Sequence, residues 1–221
     1  MIETLDQYDK ELMLLLNFDG GTWFDNFWYT FSGKFIWIGV YAVILYKFFV
    51  LCKAGKVNYK ALAWLVVCTA LLITLCDQIS SGIIKHLVER PRPSHCDEIE
   101  GMLHYVNDYR GGRFGFVSSH AANSIGLACW LCLLFRSYIF HCVIIAWSIL
   151  TCYSRIYLGV HYLGDILGGL CVGIACVFVV HYLYRHFAKE QHQITAQRKE
   201  PWVITLSLLV TVVGIMVYAI F

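Results

Sequence analysis

Residues 61–93 read ALAWLVVCTALLITLCDQISSGIIKHLVERPRP, an apolar run with no charge before Asp77 that ends in Lys85, Glu89, Arg90 and Arg92. A helix needs about 20 apolar residues to cross a hydrocarbon core of about 30 Å, and residues 61–84 supply them. In lipid every backbone N–H and C=O must be satisfied internally, and a helix does this within one segment. The stretch therefore predicts an all-α integral-membrane fold, with the basic tail marking where the chain leaves the membrane.

Outward from it, further apolar runs occupy residues 30–52, 119–135, 138–153, 163–184 and 202–221. Six transmembrane helices are expected, with 119–153 read as two spans joined by a tight turn at Arg136. Trp23, Phe24, Phe27, Trp28 and Tyr29 read as an interfacial aromatic belt at the start of the first span. Residues 1–16 begin acidic and lack the apolar core of a signal peptide. Leu5, Tyr8, Leu12, Leu15 and Leu16 recur at helical spacing opposite Asp6, Gln7, Asp9, Lys10 and Glu11. That pattern predicts an amphipathic interfacial helix within residues 1–20, and the whole of 1–221 reads as a single domain.

Composition agrees. Hydrophobic residues make up 59% and charged residues 14%, with a mean hydropathy of +0.62. A soluble domain carries about a quarter charged residues, so this chain lacks the polar surface that water demands. A net charge of +2 gives no electrostatic footprint for nucleic acid. All the cysteines except Cys96 lie in apolar runs or at their edges, where free thiols behave as small apolar side chains. Cys129 and Cys132 have the spacing of a metal or redox pair but no second pair to complete it.

Orientation follows from the basic residues. One side carries Lys53, Lys56, Lys60, Arg136, Arg185, Lys189, Arg198 and Lys199. The other matches that count until Lys85, Arg92 and Arg155 are set aside for chemistry. The positive-inside rule then places the first set in the cytoplasm, and both termini and the loops 85–118 and 154–162 outside.

Three polar clusters fall in those two loops and the adjoining helix ends. They are Lys85 to Arg92-Pro93, then Val117-Ser118-Ser119-His120, then Ser154-Arg155 followed by His161 and Asp165. Alternation of the spans puts all three on one face of the membrane. Each basic residue alone would read as an interface anchor, and each histidine as a hydrogen-bonded structural residue. Together they supply what phosphoryl transfer to a side chain requires. Lys85, Arg92 and Arg155 offer fixed cations for the equatorial oxygens, and Ser118 at a helix start offers a hydroxyl beside free N–H groups. His161 and Asp165 are four apart and share a helical face, so the carboxylate can hold one ring nitrogen protonated while the other attacks phosphorus. His120 is then the general acid for the leaving oxygen.

The pattern Lys-x6-Arg-Pro, Ser-x-His and Ser-Arg-x5-His-x3-Asp resembles the type 2 phosphatidic acid phosphatase superfamily, which also includes vanadium haloperoxidases. The resemblance covers about 80 residues directly, from Lys85 to Asp165. It implies a metal-independent phosphatase without cofactor, a phosphohistidine on His161 and His120 as acid. Lys85, Arg92, Ser118, Ser119 and Arg155 are the expected phosphate ligands. The family's second motif is usually Pro-Ser-Gly-His, and Val117 and Ser119 depart from it here. Neither change touches a group that attacks phosphorus or moves a proton.

The acidic and basic loop 94–116 reads as solvated, with Arg90, Arg110 and Arg113 offered as head-group contacts. His95, Cys96 and Asp97 belong to that solvated loop. Asp77 and Gln78, about two turns inside the membrane from Lys85, are either site residues or interhelical hydrogen-bonding groups. The expected substrate is a lipid phosphate at head-group depth. The stretch Phe116–Asn123 is similar to lipid A phosphatase-like sequences and tilts the choice to lipid A phosphate. Undecaprenyl diphosphate is the close second, with phosphatidylglycerol phosphate and phosphatidic acid behind it. The expected location is a bacterial inner membrane with the site facing the periplasm. Competing classes are a lipid or anion transporter, which has no use for both His120 and His161, and a vanadate-dependent oxidant enzyme.

Overall fold

The computed structural model describes residues 2–54, 58–187 and 201–221, so the predicted cytoplasmic Lys56, Lys189, Arg198 and Lys199 lie outside the described residues. The chain begins with α1 (Ile2–Leu16) and α2 (Thr22–Ser32). A 3-10 turn over Phe35–Trp37 leads into α3 (Ile38–Lys53). Next, α4 (Tyr59–Asp77) passes through a π-helical stretch, Gln78–Ile84, into the short α5 (Lys85–Val88). After a long connection come α6 (Ser119–Leu134), α7 (Tyr138–Tyr157), α8 (Leu163–Phe187) and α9 (Trp202–Tyr218). Among the described residues there is no strand, only an isolated bridge between Pro91 and Phe114.

Four helical segments are long and apolar enough to cross a membrane: Phe35–Lys53, Tyr59–Val88, Tyr138–Tyr157 and Leu163–Phe187. Ser119–Leu134 and Trp202–Tyr218 are apolar but shorter. At about 1.5 Å per residue, the 16 residues of α6 span about 24 Å. It packs against α4, α7 and α8, and Ala121, Ala122, Leu127, Ala128, Trp130 and Leu131 are all buried.

The α6–α8 contact is the most extensive in the bundle, and α8 presents glycine to it. A Cβ at Gly169 would sit 2.4 Å from the Ser118 carbonyl oxygen, and one at Gly173 would sit 2.4 Å from that of Ala122. Backbone against backbone maximises dispersion where lipid offers no hydrophobic drive between helices. Polar side chains add interhelical bonds. Trp130 Nε1 donates to Thr69 Oγ1 at 3.0 Å, and Ser148 Oγ donates to Ser124 Oγ at 3.1 Å. All ten cysteines are free thiols.

Four expectations need correction. The run expected as a span over 30–52 is broken at Gly33 and Lys34, so the aromatic residues before it form a separate helix. Of the expected aromatic belt, Phe27 and Trp28 are buried with Phe31 in the core, where Trp37 Nε1 donates to the Phe31 carbonyl at 3.0 Å, while Trp23 is half-buried and Phe24 and Tyr29 are exposed. The predicted span 138–153 continues to Tyr157, which places Ser154 and Arg155 on the last turn of α7 instead of in a loop. The connection 94–116 is not simply solvated: Cys96, Ile99, Leu103 and Val106 are buried, and Cys96 packs in a cluster with Met13, Ile156 and Tyr162.

Candidate active site

The two loops are tied to one another by backbone hydrogen bonds before any side chain is considered. Arg92 N donates to the Arg113 carbonyl at 3.0 Å and Gly115 N to that of Arg90 at 2.9 Å, so the ends of the 85–118 connection run side by side. Ser118 N donates to the Asp165 carbonyl at 2.9 Å, which fixes the start of α6 against the first turn of α8. The helix carrying Lys85 ends at Glu89, whose left-handed backbone (φ 50°) turns the chain towards Arg92.

His161 and Asp165 form the buried centre, 1% and 0% exposed respectively. Nδ1 of His161 lies 3.2 Å from Asp165 Oδ2, which also accepts from Tyr162 N at 3.1 Å. The other oxygen, Oδ1, accepts from Arg90 Nη1 at 3.1 Å. Gly115 is needed beside this carboxylate, since a Cβ there would lie 2.6 Å from Oδ2. With Nδ1 engaged, Nε2 is the imidazole nitrogen left for chemistry. Burial, and then the charges of Arg92, Arg155 and Lys85, hold the His161 pKa well below the ordinary imidazole range, so the ring is neutral at pH 7.

The predicted cations surround that centre. Arg92 is buried, its Nε donating to the Phe114 carbonyl at 3.0 Å and Nη1 to that of Val160 at 3.3 Å. Arg155 is buried on α7, with Nη1 donating to Ser32 Oγ and Nη2 to Tyr109 OH at 3.1 Å. Its buried Nε has no hydrogen-bond partner among the described residues. Lys85 is half-buried and near enough to act electrostatically on both His161 and His120. Ser118 is the N-cap of α6, its Oγ accepting from Ala121 N at 3.4 Å, which leaves the hydroxyl proton for an anion. Ser119 and His120 follow in the first turn, where backbone N–H groups are unpaired by the helix.

Below His120 opens a cavity of about 800 Å³. Lys34, Asp77, Gln78, Ser119, His120 and Asn123 line its polar part, and Trp37, Ile44, Leu45, Val66, Ile73 and Leu127 its apolar part. Its walls come from the α2–α3 junction, α4, α6 and α7, so it runs from the polar clusters into the bundle. Asp77 and Gln78, left open in the sequence, face this cavity, and Asn123 Oδ1 is buried without a partner among the described residues.

The PAP2 superfamily model matches residues 61–189, more than half of the chain and all three polar clusters. The chain belongs to the PAP2 superfamily. It is 36% identical, over the whole of its length and 99% of the relative, to a lipid A 4'-phosphatase of Bacteroides thetaiotaomicron. It is also 36% identical to a lipid A 4'-phosphatase of Porphyromonas gingivalis, over 83% of this chain and 75% of that one. Among solved structures, Aquifex aeolicus LpxE is similar in fold, with a TM-score of 0.55, 20% identity and coverage of 78% of this chain and 93% of that one. A PAP2-type phosphatidylglycerolphosphate phosphatase from Bacillus subtilis gives a TM-score of 0.60 at 17% identity, covering 83% and 88%. With its apolar helices and these relatives, this PAP2 chain is an integral membrane protein.

The predicted outer arginines have other neighbours. Arg90 is engaged with carboxylates of Asp6, Asp9 and Asp165, which leaves it little freedom for a head group. Arg110 stacks 4.5 Å from the Tyr105 ring centroid and sits 3.7 Å from Glu100, and Arg113 lies over Phe114. Sequence reasoning missed Asp6, Asp9, Ser32, Lys34 and Tyr109 as neighbours of the site. The lone signal for any of them was the charge on α1, and it read as a solvated face.

Proposed function

We propose that this protein is a lipid A phosphatase that removes the 4'-phosphate monoester through a phosphohistidine on His161. The observation that carries the reaction class is the buried His161–Asp165 pair, with one ring nitrogen engaged and Arg92, Arg155 and Lys85 close enough to act electrostatically on the ring. The choice of lipid is supported by the two lipid A 4'-phosphatases that match at 36% identity, one of them end to end. The cavity beneath His120 supports an amphiphilic substrate, with sugar and acyl groups inside the bundle and phosphate at its mouth.

In this reading Nε2 of neutral His161 attacks phosphorus in line with the ester oxygen. The phosphorus–ester oxygen bond breaks as His120 delivers a proton to the departing sugar oxygen, which leaves as a hydroxyl. Asp165 keeps its place against the Nδ1 proton and stabilises the charge that the ring gains. Lys85, Arg92, Arg155, the Ser118 and Ser119 hydroxyls and the α6 N-terminus take the equatorial oxygens. A water then attacks the phosphohistidine, giving its proton to His120 and releasing inorganic phosphate. Arg110 and Arg113, on the connection over the site, are the side chains offered for a second charged group of the lipid.

We place six spans in the membrane: Phe35–Lys53, Tyr59–Val88, Ser119–Leu134, Tyr138–Tyr157, Leu163–Phe187 and Trp202–Tyr218, all within one domain covering 1–221. Helix α1 lies in the interface, its exposed Leu5, Tyr8, Leu12 and Leu15 in the acyl region. The site faces the periplasm of a bacterial inner membrane. Side-chain cations supply the charge, so no divalent metal is required. The test is phosphate release in detergent from lipid A and from undecaprenyl diphosphate, with and without EDTA, and mass spectrometry of the lipid product. Lipid A missing the 4'-phosphate, formed equally with EDTA, is the expected result. Turnover of undecaprenyl diphosphate alone, or loss of turnover on chelation, would contradict the reading.

A further inference from the structure

The carboxylates of α1 reach the far side of Asp165. Arg90 Nη1 is shared between Asp165 Oδ1 at 3.1 Å and Asp9 Oδ2 at 2.8 Å, while Nη2 donates to Asp6 Oδ1 at 2.8 Å. The guanidinium lies 4.1 Å from the centre of the Tyr162 ring. Asp9 Oδ1 accepts from the backbone N of Gly164, at 2.9 Å, in the first turn of the helix that carries Asp165. A Cβ at Gly164 would sit 2.6 Å from Asp9 Oδ2, so the backbone is tailored to that contact. Lys10 closes the set, bound to Asp6 and to Glu98 at 2.9 Å each. The Asp9–Arg90–Asp165 line is largely buried, with side-chain exposure of 11%, 19% and 0%, while Asp6 and Glu98 at its rim are exposed.

We propose that Asp9, assisted by Asp6, is a positioning residue for the reaction and acts through Arg90 on Asp165. A carboxylate needs only one oxygen to orient His161, and the other must be held if the group is not to swing about its Cβ–Cγ bond. Arg90 holds it, and a guanidinium fork is itself oriented by the second carboxylate that it binds. Asp9 performs that task and at the same time pins the start of α8 through Gly164. The order of action is therefore Asp9 to Arg90 to Asp165 to His161. It begins in a helix outside residues 61–189, where the superfamily model matches. The inference rests on the reading of His161 as nucleophile and Asp165 as its orienting carboxylate.

Outer groups of this kind are worth about 10- to 100-fold in activity. Asp9→Asn should lower kcat about 10-fold with KM for lipid A unchanged, and Asp9→Glu should recover part of the loss. Arg90→Ala should lower kcat about 100-fold. The double variant should lose no more than Arg90→Ala alone, because residues acting in series do not add. If Arg90→Ala fails to insert, Arg90→Lys keeps the charge, loses the fork and takes its place in the cycle. Wild-type kcat in Asp9→Asn, a loss confined to KM, or losses that multiply in the double variant would overturn the proposal. Asp165→Asn, measured alongside, separates the two failures. Strong loss there with full activity in Asp9→Asn removes the role of α1 alone, whereas full activity in Asp165→Asn overturns both.

Discussion

Nδ1 of His161 stands 3.2 Å from Oδ2 of Asp165, while Oδ1 of the same carboxylate accepts from Arg90, so both oxygens of one buried acid are engaged. Amide substitution keeps the shape but replaces one oxygen with a donor, which cannot accept the Nδ1 proton. Asp165→Asn is therefore expected to lower kcat by about 10²- to 10⁴-fold with little change in KM. Steady-state kinetics on lipid A would check it, and a variant impaired only in KM would contradict the assignment.

The pH behaviour of His161 follows from its surroundings. Its folded pKa is depressed by burial and by Arg92, Arg155 and Lys85, so the ring stays neutral as pH falls through its ordinary value of 6.5. Protonation, and loss of the nucleophile, comes only well below that point. Histidine NMR of the protein in detergent, with His161→Gln to assign the signal, should show no titration of His161 between pH 6.5 and 8. A midpoint inside that window would show that the cations do not act on the ring as described. The kinetic profile is a poorer readout, because a phosphate monoester titrates near pH 6 itself.

Arg155 and Ser32 differ in what they should cost. On the proposed reading Arg155 offers charge to the phosphate, and its buried Nε has no partner among the described residues, whereas Ser32 only accepts from its Nη1. Loss of one transition-state donor costs about 10²- to 10³-fold in kcat, and that is the expectation for Arg155→Ala. Ser32→Ala should cost no more than about 10-fold, as the loss of one orienting hydrogen bond. Equal losses in the two variants would argue that Arg155 is structural.

The cavity makes a prediction that separates lipid binding from chemistry. Ala70 lines it on α4, away from the polar clusters. Ala70→Trp should raise KM for lipid A about 10-fold or more, and leave hydrolysis of a small soluble phosphate ester unchanged. Loss of both activities together would place the substrate elsewhere or show that the bundle had been disturbed.

Much of this arrangement was legible in the chain because its chemistry is local. Lys85 and Arg92 lie within one helix end and its turn, and Ser118 and His120 open one helix. His161 stands two residues before the helix whose first turn carries Asp165, close in sequence but not on the shared helical face expected for the pair. Alternation of apolar runs brought the three clusters to one face without further information. What stayed hidden depends on distant contacts. Asp9 meets Arg90 across 81 positions, and Ser32 meets Arg155 across 123, and periodicity carries no trace of either. Cys96 reads as polar-loop sequence yet is buried, because the loop folds its apolar residues under α1 and α8. The first span was placed too early because aromatic residues look alike whether they face an interface or a core, and Gly33 is weak punctuation on its own.

The central claim is that phosphate is carried on His161. Its most direct measurement is a rapid quench of the wild-type protein with lipid A labelled in the 4'-phosphate, followed by peptide mapping. The account predicts label on the peptide containing His161, stable in base and lost in acid, and absent from His161→Ala. No protein-bound label during turnover, or label on another residue, would contradict it.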